Sequence, residues 1–268
     1  SMAASVPVPV PALADRAERC ADRLREADRV LLASHIDADG LTSAGVAATA
    51  LRRAGIPFET AFKKQLDDRE VASIAAREYD TVLFTDFGSG QLDAIAEYER
   101  QGAFTPVIAD HHQPADAETE CHLNPLLEGI DGASELSGAG AAYLLARALE
   151  DANEGGQDNR DLAALAVVGA VGDMQASDGE LHGANEALVA DGVAAGVVEE
   201  STDLAVYGKQ TRPLPKLFEY ATDVFVPGIS NSQRGSVEFL SESDVDCRDG
   251  EDWKRWVDLT DAERQRLA

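Results

Sequence analysis

The first half of the chain alternates short apolar runs with amphipathic stretches. Val30, Leu31, Leu32 and Ala33, closed by Ser34, read as a buried strand. Small and apolar residues at helical spacing follow over 40–54, and Gly55 ends them. The same reading predicts strands over 57–62, 81–86 and 105–110, with helices over 66–78 and 91–101 between them. Short apolar runs bounded by Gly, Pro and Asp, alternating with helices, indicate a parallel sheet built from βαβ crossovers. The order of strands in that sheet is not readable. His122 falls on a further strand beside Cys121. The second half reads as mainly helical, over 138–150, 161–171 with Asp161 as N-cap, and 184–198. A polar loop spans 151–160, and beyond Tyr220 the pattern turns irregular. The expected fold class is α/β, a parallel sheet sandwiched by helices and followed by a mainly helical C-terminal half.

Composition narrows the setting. The 268 residues suit one large α/β domain, or one with a small appendage, and 44% hydrophobic content can build its core. The net charge is −26, and only five of the 23 basic residues are lysines. Acidic residues spread along the whole chain, which points to adaptation to high internal salt. There the Debye length shrinks to about 3 Å at 1 M and self-repulsion is screened. The competing reading is a surface for a basic partner. Such a charge opposes a simple electrostatic grip on nucleic acid, so phosphate binding must come from metal ions and a few placed Arg and Lys. Cys20, Cys121 and Cys247 form no CxxC pair and no disulfide framework, as expected of reduced thiols in the cytoplasm. No apolar run is long enough to span a membrane, and no secretory signal pattern is expected. Ser1-Met2 reads as a cleavage scar, and residues 6–11, with Pro7, Pro9 and Pro11, as a mobile leader.

The chemistry gathers where strands end. His35, Asp37 and Asp39 alternate on the loop leaving the first strand, and Gly40 lets the chain turn into a helix. An EF-hand does not fit, because Ala48 stands where its twelfth-position Glu belongs. Asp86 ends the third strand, and Asp110, His111 and His112 follow the fourth. Asp173 follows the apolar helix, where a buried carboxylate needs a partner. Each cluster alone also fits an ordinary turn, cap or solvated pair. In open α/β sheets, however, ligands bind beyond the carboxyl ends of strands, and these groups converge there. Imidazole with several carboxylates suits Mn²⁺, Fe²⁺ or Mg²⁺ better than a structural zinc.

Ser-His-Ile-Asp-Ala-Asp-Gly at 34–40, Asp86, Asp-His-His at 110–112 and Gly-Asp at 172–173 resemble, in order and spacing, the four motifs of the DHH phosphoesterases. Asn124-Pro125, Leu136-Ser137-Gly138-Ala139-Gly140, Gly208-Lys209-Gln210-Thr211-Arg212-Pro213-Leu214 and Pro227-Gly228 are similar to archaeal RecJ-like proteins, including GINS-associated nucleases. The resemblance covers roughly 28–240, which it marks as the DHH domain. Residues 1–27 are then a leader and first helix, and 241–268 an acidic tail or the start of a truncated linker.

The resemblance implies a single-strand DNA or RNA exonuclease with two Mn²⁺ ions, or Mg²⁺. One ion is held by His35, Asp37 and Asp86, the other by Asp39, Asp86, His111 and Asp173. His112 lies near the scissile phosphate, Asp110 orients a ligand histidine, and Arg212 and Lys209 are candidates for phosphate contact. GINS or other replicative helicase components are implied partners. Family members continue into a second domain with a Gly- and His-containing motif. None is found before Ala268, so an excised catalytic domain or a short variant is expected. Two other readings stand beside this one: a DHH enzyme for small substrates (oligoribonuclease, nucleotide phosphatase or pyrophosphatase), and a non-catalytic replication scaffold. Filled ligand positions argue against the scaffold.

Overall fold

Five apolar segments line up as parallel strands: β1 (Val30–His35), β2 (Phe58–Lys63), β3 (Thr81–Thr85), β4 (Thr105–Ala109) and β5 (His122–Leu123), in the order β2-β1-β3-β4-β5. The computed structural model describes residues 8–222 and 224–268, in two compact units, Ser1–Glu200 and Ser201–Ala268. In the first unit the central strands are apolar on both faces, as a sheet covered by helices requires. Alternate residues point opposite ways. Val30, Leu32, Leu83 and Val107 join one cluster with α1 (Ala14–Arg25), α2 (Ala38–Arg53) and α5 (Gly138–Leu149). Leu31, Ala33, Val82, Phe84 and Ile108 join another with α3 (Asp68–Ala75) and α4 (Leu92–Arg100). α6 (Ala163–Gly172) packs on α2 and α5, and α7 (Ala184–Ala194) on α6. Every residue of α5 is buried, which its Ala, Gly and Leu composition permits. β2 lies at the sheet edge and carries Glu59 and Lys63, polar residues that discourage further pairing.

The strand order puts a reversal between β1 and β3. From β1 the chain adds β2 on one side, then crosses to β3 on the other. Beyond the carboxyl ends of those two strands lies the natural ligand crevice of such a sheet. Ser34 and Thr85 lock the two ends together: Thr85 Oγ1 donates to Ser34 Oγ at 2.8 Å, and Ser34 Oγ donates to the Gly40 carbonyl at 2.8 Å.

Several expectations need correction. Asp161 does not cap a helix. Its carboxylate is taken by the two guanidinium nitrogens of Arg53, at 2.8 and 2.7 Å, and α6 starts at Ala163. Of the expected mobile leader, residues 6 and 7 lie outside the described residues, but Val8 and Val10 are buried in the main core. Ser1-Met2 also lies outside the described residues. Beyond Tyr220 the chain is not merely irregular: α9 (Gln233–Glu242) and α10 (Asp261–Leu267) form there, after α8 (Leu214–Glu219). With the short antiparallel pair β6 (Arg248–Asp249) and β7 (Asp252–Trp253), they build the second unit around Leu214, Leu217, Leu240 and the buried Trp256. The limit expected at 240 therefore falls inside α9, within one apolar cluster. No helix among the described residues is long and apolar enough to cross a membrane.

Candidate metal centre

His35 closes β1, and its Nε2 lies 2.9 Å from the Lys64 carbonyl. A carbonyl can only accept, so that nitrogen donates to it and Nδ1 is the ring nitrogen that faces the crevice. Nδ1 stands 2.8 Å from Asp37 Oδ2 and 3.9 Å from Asp86 Oδ2. Asp37 is also the N-cap of α2, accepting from the Gly40 N–H at 2.8 Å. Burial works to raise its pKa, but the Gly40 N–H and His35 outweigh it and the net shift is downward.

In the first turn of α2, Asp39 is almost wholly buried. Its two oxygens accept from the Gly138 and Ala139 N–H groups at 2.7 and 2.8 Å, so its charge sits on the N-terminus of α5. Asp86 follows β3 with φ +62°, a left-handed conformation uncommon for a residue with a side chain. That turn aims its carboxylate into the crevice. A Cβ on Gly138 would stand 2.5 Å from Asp86 Oδ1, so α5 can begin this close to it only with glycine there. Burial lifts the Asp86 carboxyl to about 8, with the nearby Asp39 and Asp110 charges adding to it and His111 pulling the other way.

The third strand end is built in reverse. Asp110 is fully buried and faces its own loop. It accepts from the Ser89 N–H at 3.0 Å, the His111 N–H at 2.8 Å and His112 Nδ1 at 2.7 Å. Burial opposes its charge, yet these donors and the two histidines hold its pKa at about 2. The His111 ring enters the crevice. Its Nδ1 donates to the Gly132 carbonyl at 2.6 Å, leaving Nε2 buried without a hydrogen-bond partner, 3.3 Å from Asp86 Oδ1 and 3.5 Å from Asp39 Oδ2. Burial disfavours charge on this ring, but Asp86, the Gly132 carbonyl, Asp110 and Asp39 raise its pKa to about 10. The His112 ring is half exposed, and its bond to Asp110 raises its pKa. Asp173 caps α6 from its C-terminal end, with Oδ2 3.8 Å from His111 Nδ1; burial raises its pKa.

The six residues expected as metal ligands thus meet at one crevice, as two clusters with donor atoms within 4.8 Å: His35, Asp37 and Asp86, and Asp39, His111 and Asp173. A second grouping around His111 joins Asp86, Asp110 and His112. In each of the two clusters a ring nitrogen faces carboxylate oxygens, and its opposite nitrogen is committed to a backbone carbonyl. The facing nitrogen therefore takes either a proton or a cation. Hard oxygens with imidazole nitrogen fit a divalent ion of the Mn²⁺ or Mg²⁺ kind.

A cavity of about 460 Å³ opens beside the crevice, lined among others by His111, His112, Gln113, Gly132 and Asp173. Outside the crevice, His122 is buried with Nε2 2.8 Å from Ser89 Oγ, and burial lowers its pKa to about 4. His182 is partly exposed. Lys209 and Arg212 belong to the second unit: Lys209 pairs with Asp203 at 2.9 Å, and the Arg212 guanidinium lies 5.3 and 5.7 Å from the Tyr207 and Tyr220 rings. The sequence reading missed Gln175 and Asn185, both buried, which stand behind Asp173 and Gly132. A lone Gln two residues past an Asp carries no signal in one sequence.

Residues 29–170 match the description "DHH family, N-terminal domain", and residues 206–268 match "DHH-CID domain". The uncharacterized protein MJ0831 of Methanocaldococcus jannaschii is 31% identical over 240 residues, 86% of this chain and 50% of that protein. The single-stranded-DNA-specific exonuclease RecJ of Escherichia coli is 29% identical over 153 residues, 52% of this chain and 26% of RecJ. The chain spans half or less of the length of these curated relatives. A crystal structure of exonuclease RecJ bound to manganese is similar with a TM-score of 0.55 and 26% identity, over 72% of this chain and 49% of that one. CDC45 from Entamoeba histolytica, at 10% identity and a TM-score of 0.51 over 95% of this chain and 55% of that one, shares the fold alone. The motifs at the strand ends, the parallel sheet beneath them and a family match over more than half of the sequence agree: the chain belongs to the DHH family and is RecJ-like.

Proposed function

We propose that this chain is a two-metal-ion phosphodiesterase that acts as an exonuclease on single-stranded DNA or RNA. One observation carries the reading: the two oxygens of Asp86 face ring nitrogens of two different histidines, each fixed by a backbone carbonyl behind it. A carboxylate so placed could hold two cations, one at each oxygen. His35, Asp37 and Asp86 would hold one ion, and Asp39, Asp86, His111 and Asp173 the other, with Mn²⁺ favoured and Mg²⁺ as the alternative. Such a pair supplies a hydroxide near neutral pH and offsets the charge that develops on phosphate oxygens.

The remaining roles belong to the chain itself. Asp110 fixes His112 Nδ1, so Nε2 is the free nitrogen of a ring that lines the cavity, and the bond to Asp110 raises its pKa. His112 is assigned as proton donor or electrophile toward the scissile phosphate. Arg212 and Lys209 are assigned to phosphate contact. The single-strand substrate is supported by the RecJ relative, and Mn²⁺ by the manganese-bound RecJ structure.

The test is hydrolysis of an end-labelled single-stranded oligonucleotide in Mn²⁺ and high KCl, comparing the parent with Asp86→Ala. Degradation by the parent alone is the expected result, and the product ladder gives the direction of digestion. Cleavage of dinucleotides or pyrophosphate but not of the oligonucleotide would move the assignment to a small-substrate enzyme. No cleavage of any of them, with metal-independent capture of a replication factor, would favour the scaffold.

A further inference from the structure

We propose that Gln175 is a positioning residue that sets two ligands of the deeper ion site at once, His111 and Asp173; this rests on the two-metal reading above. Gln175 lies just past Asp173, in the turn that follows α6, and is 2% exposed. Its Nε2 donates to the Gly132 carbonyl at 3.0 Å and to Asp173 Oδ2 at 2.9 Å. Both partners only accept, so the amide orientation is fixed by chemistry and Oε1 must point the other way. There it accepts from Asn185 Nδ2 at 2.8 Å, at the start of α7. Asn185 is itself 1% exposed.

The Gly132 carbonyl is the group that fixes the His111 ring, through Nδ1 at 2.6 Å. Gln175 therefore occupies the second lone pair of the oxygen that decides which His111 nitrogen faces the ion. With the same nitrogen it holds Asp173, a deep-site carboxylate that, unlike Asp39, is not anchored to a helix N-terminus. Asp39 has two backbone donors; Asp173 has Gln175 as its side-chain donor. Removing the amide frees the Asp173 carboxylate and loosens the carbonyl that holds His111. The shallow cluster of His35 and Asp37 is held by Lys64 and Gly40 instead, so it feels neither change.

The experiment is Mn²⁺ titration by calorimetry of the metal-free chain, with thermal unfolding of the same samples. Gln175→Met keeps the shape and removes the hydrogen bonds. It is expected to weaken one of the two binding steps by about 10–100-fold, the range seen for outer residues of metal sites. That step should be the one weakened by Asp173→Asn, and the loss should persist in an Asp37→Asn background. Asn185→Ala, which leaves Gln175 unbraced, should weaken the same step by less. A parent that binds two ions while Gln175→Met binds both as tightly overturns the inference alone. So does an equal weakening of both steps together with a lower unfolding midpoint, which marks a packing residue only. A parent that binds no Mn²⁺ overturns the two-metal reading and this inference with it.

Discussion

The two halves of the crevice are made from the same residue types but differ in depth. The His35 side chain is 29% exposed and Asp37 55%, whereas His111 is 6% and Asp39 2%. Water competes for the first pair, although the Gly40 N–H holds one oxygen of its carboxylate. In the second pair Asp39 accepts from two backbone N–H groups and His111 donates to a backbone carbonyl; both have already lost their hydration, so a cation recovers more there. If the proposed pair of ions binds here, the two should therefore differ in affinity, the deep one tight and the shallow one exchangeable.

The largest effect tests whether the halves are one site. Asp86→Ala removes the shared carboxylate and should cost about 4 kcal/mol or more of transition-state stabilisation, on the order of 10³-fold in rate. Rapid-quench rates at saturating Mn²⁺ read it directly, and a residual rate within tenfold of the parent would make the halves independent. Next come the paired variants Asp39→Ala and Asp37→Ala. Mn²⁺ affinity should fall roughly 100-fold at the deep step for the first and roughly tenfold at the shallow step for the second. Equal losses would erase the distinction of depth.

A smaller effect concerns the support under the deep half, where His122 braces Ser89 and Ser89 holds Asp110. The folded pKa of His122, about 4, lies below the ordinary 6.5, so folding excludes a proton. Its contribution to stability is complete above pH 6.5 and is lost as pH falls toward 4, by about 3 kcal/mol. Denaturant unfolding of metal-free protein should show this slope, and His122→Gln should flatten it; an unchanged slope in the variant would discharge His122. The smallest effect is proton release. The close Asp86–His111 pair, with both pKa values raised, holds a proton at pH 7 that an ion must displace. Calorimetry in buffers of different ionisation enthalpy should show about one proton leaving with the tighter ion, and affinity rising with pH. No release at either step would mean the ring nitrogen is already bare.

The parts of this centre that could be read from sequence are those carried by local order. His35, Asp86 and His111 each come directly after or near the end of an apolar strand, so a linear pattern places them at one edge of the sheet. The strand order could not be read, because it depends on which crossover packs on which face. Asp161 looked like a cap because capping is a local preference, but Arg53, more than a hundred residues away, claims its carboxylate. The second unit was unreadable for a similar reason. Its core joins Leu214, Leu240 and Trp256, which share no period. Gln175 and Asn185 act through partners that only the folded turn brings near.

The spread of the crevice along the chain also sets a timetable. The shallow cluster draws on residues 35 to 86, whereas the deep one waits for Asp173, and α5, whose N-terminus anchors Asp39, lies between. A chain emerging from the ribosome in N-to-C order thus has half a centre well before it has a whole one. On the two-metal proposal, chemistry that needs both ions would be withheld until nearly all of the first unit has been made.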